Sequence, residues 1–153
     1  MPPLPVPATV ALSSSIAFAS TAAAWTFVAH PGGLEAGPAA YTAWFNKMFP
    51  KIAKFQSVLV LASAGGALAQ SVASPAASQQ QRLLWLLSGS LMLGVLPWTF
   101  GAIMPLNKAI MAAAEKGEAA KEETLKAWGP VHNVRTVAGL VAAAVMGYAL
   151  WKL

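Results

Sequence analysis

His132 and Arg135 are the residues of this chain whose types and spacing could do chemistry, because they are the histidine and arginine set together inside apolar sequence. They lie in Trp128-Gly-Pro-Val-His-Asn-Val-Arg-Thr-Val-Ala-Gly-Leu140, which opens the last of four hydrophobic segments. At 3.6 residues per helical turn, Trp128, His132, Arg135 and Gly139 fall at i, i+4, i+7 and i+11 on one face. Pro130 sits where a first-turn proline belongs, with φ pre-set and no N–H to waste, so a helix is expected to begin beside it. The sequence is then apolar to Leu150, which puts Arg135 about a turn and a half inside a membrane-length helix. An ionisable group at that depth is costly, and its default reading is functional. The alternative is an arginine that snorkels to the interface beside a structural histidine. An imidazole, with an ordinary pKa near about 6.5, suits a general base. A guanidinium stays charged and suits a planar anion.

Composition narrows what such a pair could serve. The chain has 153 residues, of which 57% are hydrophobic and 10% charged, with no Asp and no Cys. A soluble domain carries about a quarter charged residues, so one integral membrane domain is expected over residues 1–153. The net charge of +5 then concerns topology and not nucleic-acid binding. Without cysteine there is no disulfide relay, thiolate nucleophile or thiolate-held metal. Two histidines and the loop carboxylate Glu35 are too few for a metal site, so none is expected. Haem, on His132 or His30 as axial ligand, is the runner-up cofactor, although no attachment motif is present. Phosphate-binding glycine loops, Ser-His-Asp triads and dinucleotide fingerprints are absent.

The elements that would position these residues form an all-α, four-helix transmembrane bundle. Spans are expected at about 8–29, 52–72, 83–104 and 131–151, each long enough for about 30 Å of hydrocarbon. The first lacks a basic n-region, which disfavours a cleaved signal peptide. Met1–Pro7 reads as an extended tail. His30-Pro31-Gly32-Gly33 is expected to break the first helix. Pro38–Phe49, with Tyr41, Trp44, Phe45, Met48 and Phe49 on one side, reads as an extra interfacial helix in the first loop. Ala73–Gln81 is a polar loop. Pro97 predicts a kink in the third span. The charged stretch from Pro105 to Lys126 predicts a solvated helical extension with Gly117 as its weak point and Glu122–Lys126 as an i, i+4 ion pair. Lys47, Lys51, Lys108, Lys116, Lys121 and Lys126 share one side, against Arg82 and Lys152 on the other. That asymmetry predicts cytosolic connecting segments and termini facing away.

Up-down alternation brings the ends of three spans to one face. His30, Asn107, His132, Asn133 and Arg135 could line one pocket there, walled by Trp25, Trp98, Phe100 and Trp128.

Trp128-x3-His132-x2-Arg135-Thr136, preceded by Pro97-Trp98-Thr99-x4-Met104-Pro105-x-Asn107, resembles the anthrone oxygenase family. His30-Pro31 after the first span is also similar to the family's pattern. These are small four-helix membrane proteins, many without an assigned function and others found beside polyketide pathways. The resemblance implies oxidation of an anthrone to an anthraquinone with O₂ as co-substrate and no dedicated cofactor.

The residues suit that chemistry. An anthrone has an acidic benzylic C–H whose delocalised anion can pass an electron to O₂. His132 would act as base, with His30 as the alternative, and Arg135 would stabilise the anion in low dielectric. Asn107 would orient a carbonyl or the peroxide. Trp98, Phe100 and Trp128 would stack on the polycycle, with Trp25, Asn133 and Thr99 completing its binding site. The competing readings are a haem- or metal-dependent oxidase in the same pocket, and a non-catalytic assembly or ligand-binding subunit braced by the same residues. Expected partners are a small aromatic polycyclic substrate, the lipid bilayer and a second copy of the chain in a homo-oligomer, with no nucleic acid.

Overall fold

The computed structural model describes residues 5–73 and 78–152. The start of the tail expected at Met1–Pro7 and the middle of the loop expected at Ala73–Gln81 lie outside the described residues. Among those described there is no strand, and four helices are long and apolar enough to cross a membrane. They are α1 (Val6–Glu35), α2 (Pro38–Ala73), α3 (Gln79–Glu115) and α4 (Glu122–Trp151). Around the ring, α1 packs on α2 and α4, and α3 packs on the same two.

The helices run further than the apolar pattern implies. The 36 residues of α2 span about 54 Å at 1.5 Å per residue, well over a hydrocarbon layer of about 30 Å. Pro38–Phe49 is therefore the first part of α2 and not a separate helix, and the helix passes straight through Pro50. The extension after Pro105 is likewise continuous with the third helix as far as Glu115. At the fourth, the helix begins at Glu122, so Pro130 sits in its interior and Trp128 is already helical. Neighbouring helices and side chains can satisfy the carbonyls that such prolines free, which makes interior prolines tolerable in a bundle of this kind.

Nor does His30-Pro31-Gly32-Gly33 break α1. A π-helical turn over Trp25–Ala29 precedes it, and the chain stays helical through Glu35. A proline ring normally clashes with the carbonyl four residues back. For Pro31 that residue is Phe27, inside the π turn, where the wider coil makes room. The same device recurs in α3, where Thr99–Ile103 is π-helical and Pro105 follows. Pro97 lies inside the third helix, and the π-helical turn at Thr99–Ile103 follows it. The real stops are two glycines with left-handed backbone, Gly37 (φ 90) after α1 and Gly117 (φ 71) after α3. At its other end α3 opens on a capping box. Ser78 Oγ accepts from the Gln81 N–H, and the Gln81 side chain accepts from the Ser78 N–H.

Packing divides the bundle into two ends. Toward the termini, small residues bring the helices close together. A Cβ on Gly66 would come within 2.8 Å of the Ala11 amide nitrogen, and Ser63 donates to the Ala11 carbonyl at 2.9 Å. Across α1 and α4, Ser15 donates to the Gly139 carbonyl at 3.1 Å. Toward the connecting segments the core is aromatic: Trp25, Tyr41, Phe45 and Trp128 pack with Ile103, Ile110 and Leu125. The turn between α3 and α4 is tied down where the Ala120 N–H donates to Thr42 Oγ1 at 2.9 Å. Lys126 bonds to Glu122 at 2.7 Å, the expected ion pair, and both side chains are exposed. That hydrogen bond holds the Glu122 carboxyl below its ordinary pKa. Outward, Phe27, Phe55, Val58, Leu61, Leu87, Phe100 and Leu140 are exposed, an apolar belt of the kind a lipid-embedded bundle presents.

Candidate active site

Trp128 is the hub through which the functional residues meet. Its indole Nε1 donates to Asn107 Oδ1 at 2.7 Å, and its ring stacks on the His132 imidazole with centroids 4.3 Å apart and planes 16° from parallel. The His30 ring is tilted against it, with centroids 5.5 Å apart. His30, Asn107 and His132, which the sequence brings to one end of the bundle, are thus all in contact with one side chain. All three are buried. Trp128 can do this because α4 runs helically through Pro130, keeping Trp128 and His132 one turn apart on the same face.

Each histidine is fixed through its Nδ1. The His132 Nδ1 is 3.0 Å from Thr26 Oγ1, which is also 3.2 Å from Thr136 Oγ1. The His30 Nδ1 is 2.7 Å from the Tyr41 hydroxyl. With Nδ1 engaged, Nε2 of His132 is the nitrogen left for proton transfer. The His30 ring is clamped more tightly still: a Cβ on Gly129 would fall 2.5 Å from its Cδ2 and Nε2. Only glycine at 129 leaves room for this imidazole. The π turn places the α1 contributors. The His30 N–H bonds to the Trp25 carbonyl, five residues back, so Trp25 and His30 align on one face and both reach Trp128.

Arg135 is 7% exposed, and its Nε is buried without a hydrogen-bond partner. The guanidinium carbon lies 5.3 Å from the centroid of the Phe18 ring, a cation–π contact. Two cavities share Arg135 as a wall. The first is a small pocket of about 10 Å³, also bordered by His132, Trp25, Trp128, Gln56 and Ile103. That is room for about one water molecule. The second is a groove of about 380 Å³ between α3 and α4.

Several expected positions fall elsewhere. Phe100 is 66% exposed and turned away from the aromatic cluster. Thr99 donates to the Val95 carbonyl of its own helix at 2.7 Å. Trp98 is at the outer groove, its indole donating to the Val131 carbonyl at 3.0 Å. Asn133 is half-buried with Oδ1 unpartnered, and neither cavity bordered by Arg135 includes it. The single pocket expected from the sequence is thus split: Trp25 and Trp128 wall the small pocket with His132, and Trp98 walls the outer groove. Asn107 is fully buried and spends Oδ1 on Trp128, leaving Nδ2 without a partner. Among the described residues no group of three or more His, Cys, Asp or Glu could hold a metal ion.

Thr26, Thr136, Tyr41 and Gln56 join the site without having been expected there. One sequence signal was available for Thr26: Trp25-Thr26-Phe27-x-Ala29 recurs as Trp98-Thr99-Phe100-x-Ala102, each followed by a proline at 31 or 105. The two π turns fall on these two copies. Only the first copy sends its threonine across to another helix.

A model of the anthrone oxygenase family matches residues 41–145, about two thirds of the chain. The match takes in Asn107, Trp128, His132 and Arg135 and begins after Thr26 and His30. No significant match was found among curated proteins or solved structures. Its matched span includes the buried His132–Arg135 face, and the chain belongs to the anthrone oxygenase family.

Proposed function

We propose that this is a multi-pass membrane oxygenase that converts an anthrone-like aromatic to its quinone with O₂. The observation that carries the reading is the shared pocket: His132 and Arg135 border one small cavity in a family-matched chain. His132 removes the benzylic proton through Nε2, with Nδ1 held at Thr26. Arg135 stabilises the resulting oxyanion, and its unpartnered Nε supplies a donor for it. The carbanion gives one electron to O₂, the radical pair closes a C–O bond to form a peroxide anion, and the proton held on His132 returns to it to give the hydroperoxide. Loss of water then breaks the O–O bond and the remaining benzylic C–H, leaving the quinone carbonyl. The overall balance is anthrone plus O₂ to anthraquinone plus water. Asn107 acts as a positioning residue that sets the Trp128 ring against His132.

The polar ends of α2, α3 and α4, with Lys47, Lys51, Lys108, Lys116, Lys121 and Lys126, lie in the cytosol in this reading. The purified protein in lipid nanodiscs, given an anthrone in air, should consume O₂ and form quinone faster than empty nanodiscs. Equal rates would overturn the reading.

A further inference from the structure

We propose that the groove between α3 and α4 is a docking site, open to the hydrocarbon layer, for a flat, weakly acidic polycyclic substrate whose oxyanion rests on Arg135. The proposal builds on the oxygenase reading and adds where the substrate binds and how it arrives.

The groove is built for such a molecule. Its volume, about 380 Å³, falls in the lower part of the about 300–1,000 Å³ range of small-molecule sites. Leu87, Leu91, Val95 and Val134 make its walls apolar, and Trp98 offers an aromatic face. The rim is on the outside of the bundle, since Leu87, Trp98 and Val134 are all exposed. Gly94 leaves one wall flat: a Cβ built there meets nothing within 4 Å. Trp98 is steadied by its bond to the Val131 carbonyl, which holds the indole at the groove wall.

One feature of the groove is charged. Arg135 closes it from inside, more than nine-tenths buried, with Nε unpartnered. None of the five acidic residues of the chain, at 35, 115, 118, 122 and 123, lines the groove. A guanidinium in an apolar wall is costly unless an anion or a strong acceptor meets it. An acyl chain would fill the volume and leave that charge unmet. A phenolate or enolate on a fused-ring body satisfies both walls and charge at once. Arg135 also borders the small pocket it shares with His132. An anion held on Arg135 in the hydrocarbon-facing groove therefore lies beside the small pocket that His132 lines.

The test uses 1,8-dihydroxyanthraquinone, which is flat, weakly acidic and already oxidised, so it binds without turnover. Full-length protein in lipid nanodiscs is titrated with this dye and its absorbance followed. Wild type should bind it saturably. Gly94→Leu and, independently, Val134→Trp at the exposed rim should weaken binding about tenfold or more, a change of about 1.4 kcal/mol. Gly147→Leu, another helix position with nothing within 4 Å of the added Cβ, should bind within about twofold of wild type. Arg135→Gln should weaken binding and remove the shift that marks the bound phenolate.

Absence of saturable binding in the wild type, or binding unaffected by both groove variants, would overturn the docking site. Displacement of the dye by a long-chain alkane as readily as by a second hydroxyanthraquinone would assign the groove to lipid and overturn it too. The two readings fail separately. A Gly94→Leu protein that oxidises an anthrone as fast as wild type sinks the groove and spares the oxygenase. Dye binding without any anthrone oxidation does the reverse.

Discussion

The indole Nε1 of Trp128 donates a 2.7 Å hydrogen bond to Asn107 Oδ1, joining α4 to α3 where no water reaches either group. Trp128→Phe keeps a ring beside His132 but strands Asn107, whose Nδ2 already lacks a partner. An unsatisfied buried polar group costs about 1–3 kcal/mol, and that is the expected loss of stability. Asn107→Leu should recover part of it in the Trp128→Phe background, because the stranded amide is then gone. Chemical denaturation of the four proteins in a double-mutant cycle measures the coupling, and strictly additive effects would refute it.

Gly129→Ala should be harmful although alanine favours helices by about 1 kcal/mol over glycine. The new methyl would meet the His30 ring at 2.5 Å, and that ring is held from the other side by Tyr41. Overpacking of this kind costs about 1–3 kcal/mol. His30→Ala should therefore be milder in the Gly129→Ala background than in wild type. Melting temperatures of the single and double variants in one detergent decide it.

Much of this arrangement was legible in the sequence. The i, i+4, i+7, i+11 stripe from Trp128 to Gly139 is buried as a face, since Trp128, His132, Arg135 and Gly139 are all buried. The helix boundaries were not legible, because proline was read as punctuation. Pro31, Pro50, Pro105 and Pro130 all lie inside the four long helices. Between tightly packed helices, π turns and neighbouring side chains absorb what a proline would disrupt in water. Register after a π turn is equally hidden. The turn at Thr99–Ile103 carries an extra residue, and Phe100, within it, is on the outer surface. Spacing alone also cannot say which cavity an aromatic lines, and one expected pocket became a small cavity and a separate groove.

The proposed topology has a direct test, since the chain has no cysteine of its own. Glu118 is exposed in the turn between α3 and α4. A Glu118→Cys variant in sealed cells should resist a membrane-impermeant thiol reagent and react only after permeabilisation. Reaction in intact cells would reverse the orientation.

Arg135→Lys separates a clamp from a snorkelling cation. A lysine retains the charge but has no Nε donor beside Nη donors, so it cannot grip a planar oxyanion at two points. Turnover of an anthrone should drop about tenfold or more while the unfolding transition moves little. Unchanged kcat/KM in the lysine variant would mean that charge alone suffices.

His132 carries the sharpest test of the chemistry, and the choice of replacement matters. His132→Ala would remove a ring that stacks on Trp128 and bonds Thr26, so lost activity would be entangled with lost packing. His132→Asn is cleaner. Its side-chain amide lies near the place of Nδ1 and can keep the Thr26 contact, while nothing replaces Nε2. If Nε2 is the base, anthrone oxidation should fall about 10²–10⁴-fold, the usual worth of a positioned base, with the fold retained. Raising the pH should then restore part of the rate, because the substrate ionises unaided. The same pH change should not rescue Arg135→Gln, where the anion has lost its partner. Thr26→Val adds a positioning control: it removes the hydroxyl that holds Nδ1 and should alter the pH profile of kcat more than KM. If His132 only braces the bundle, the Asn variant should retain turnover in proportion to folded protein, with no recovery at high pH. Full activity of His132→Asn would remove the base from the mechanism and leave His30, bonded to Tyr41 and packed on Trp128, as the next residue to replace.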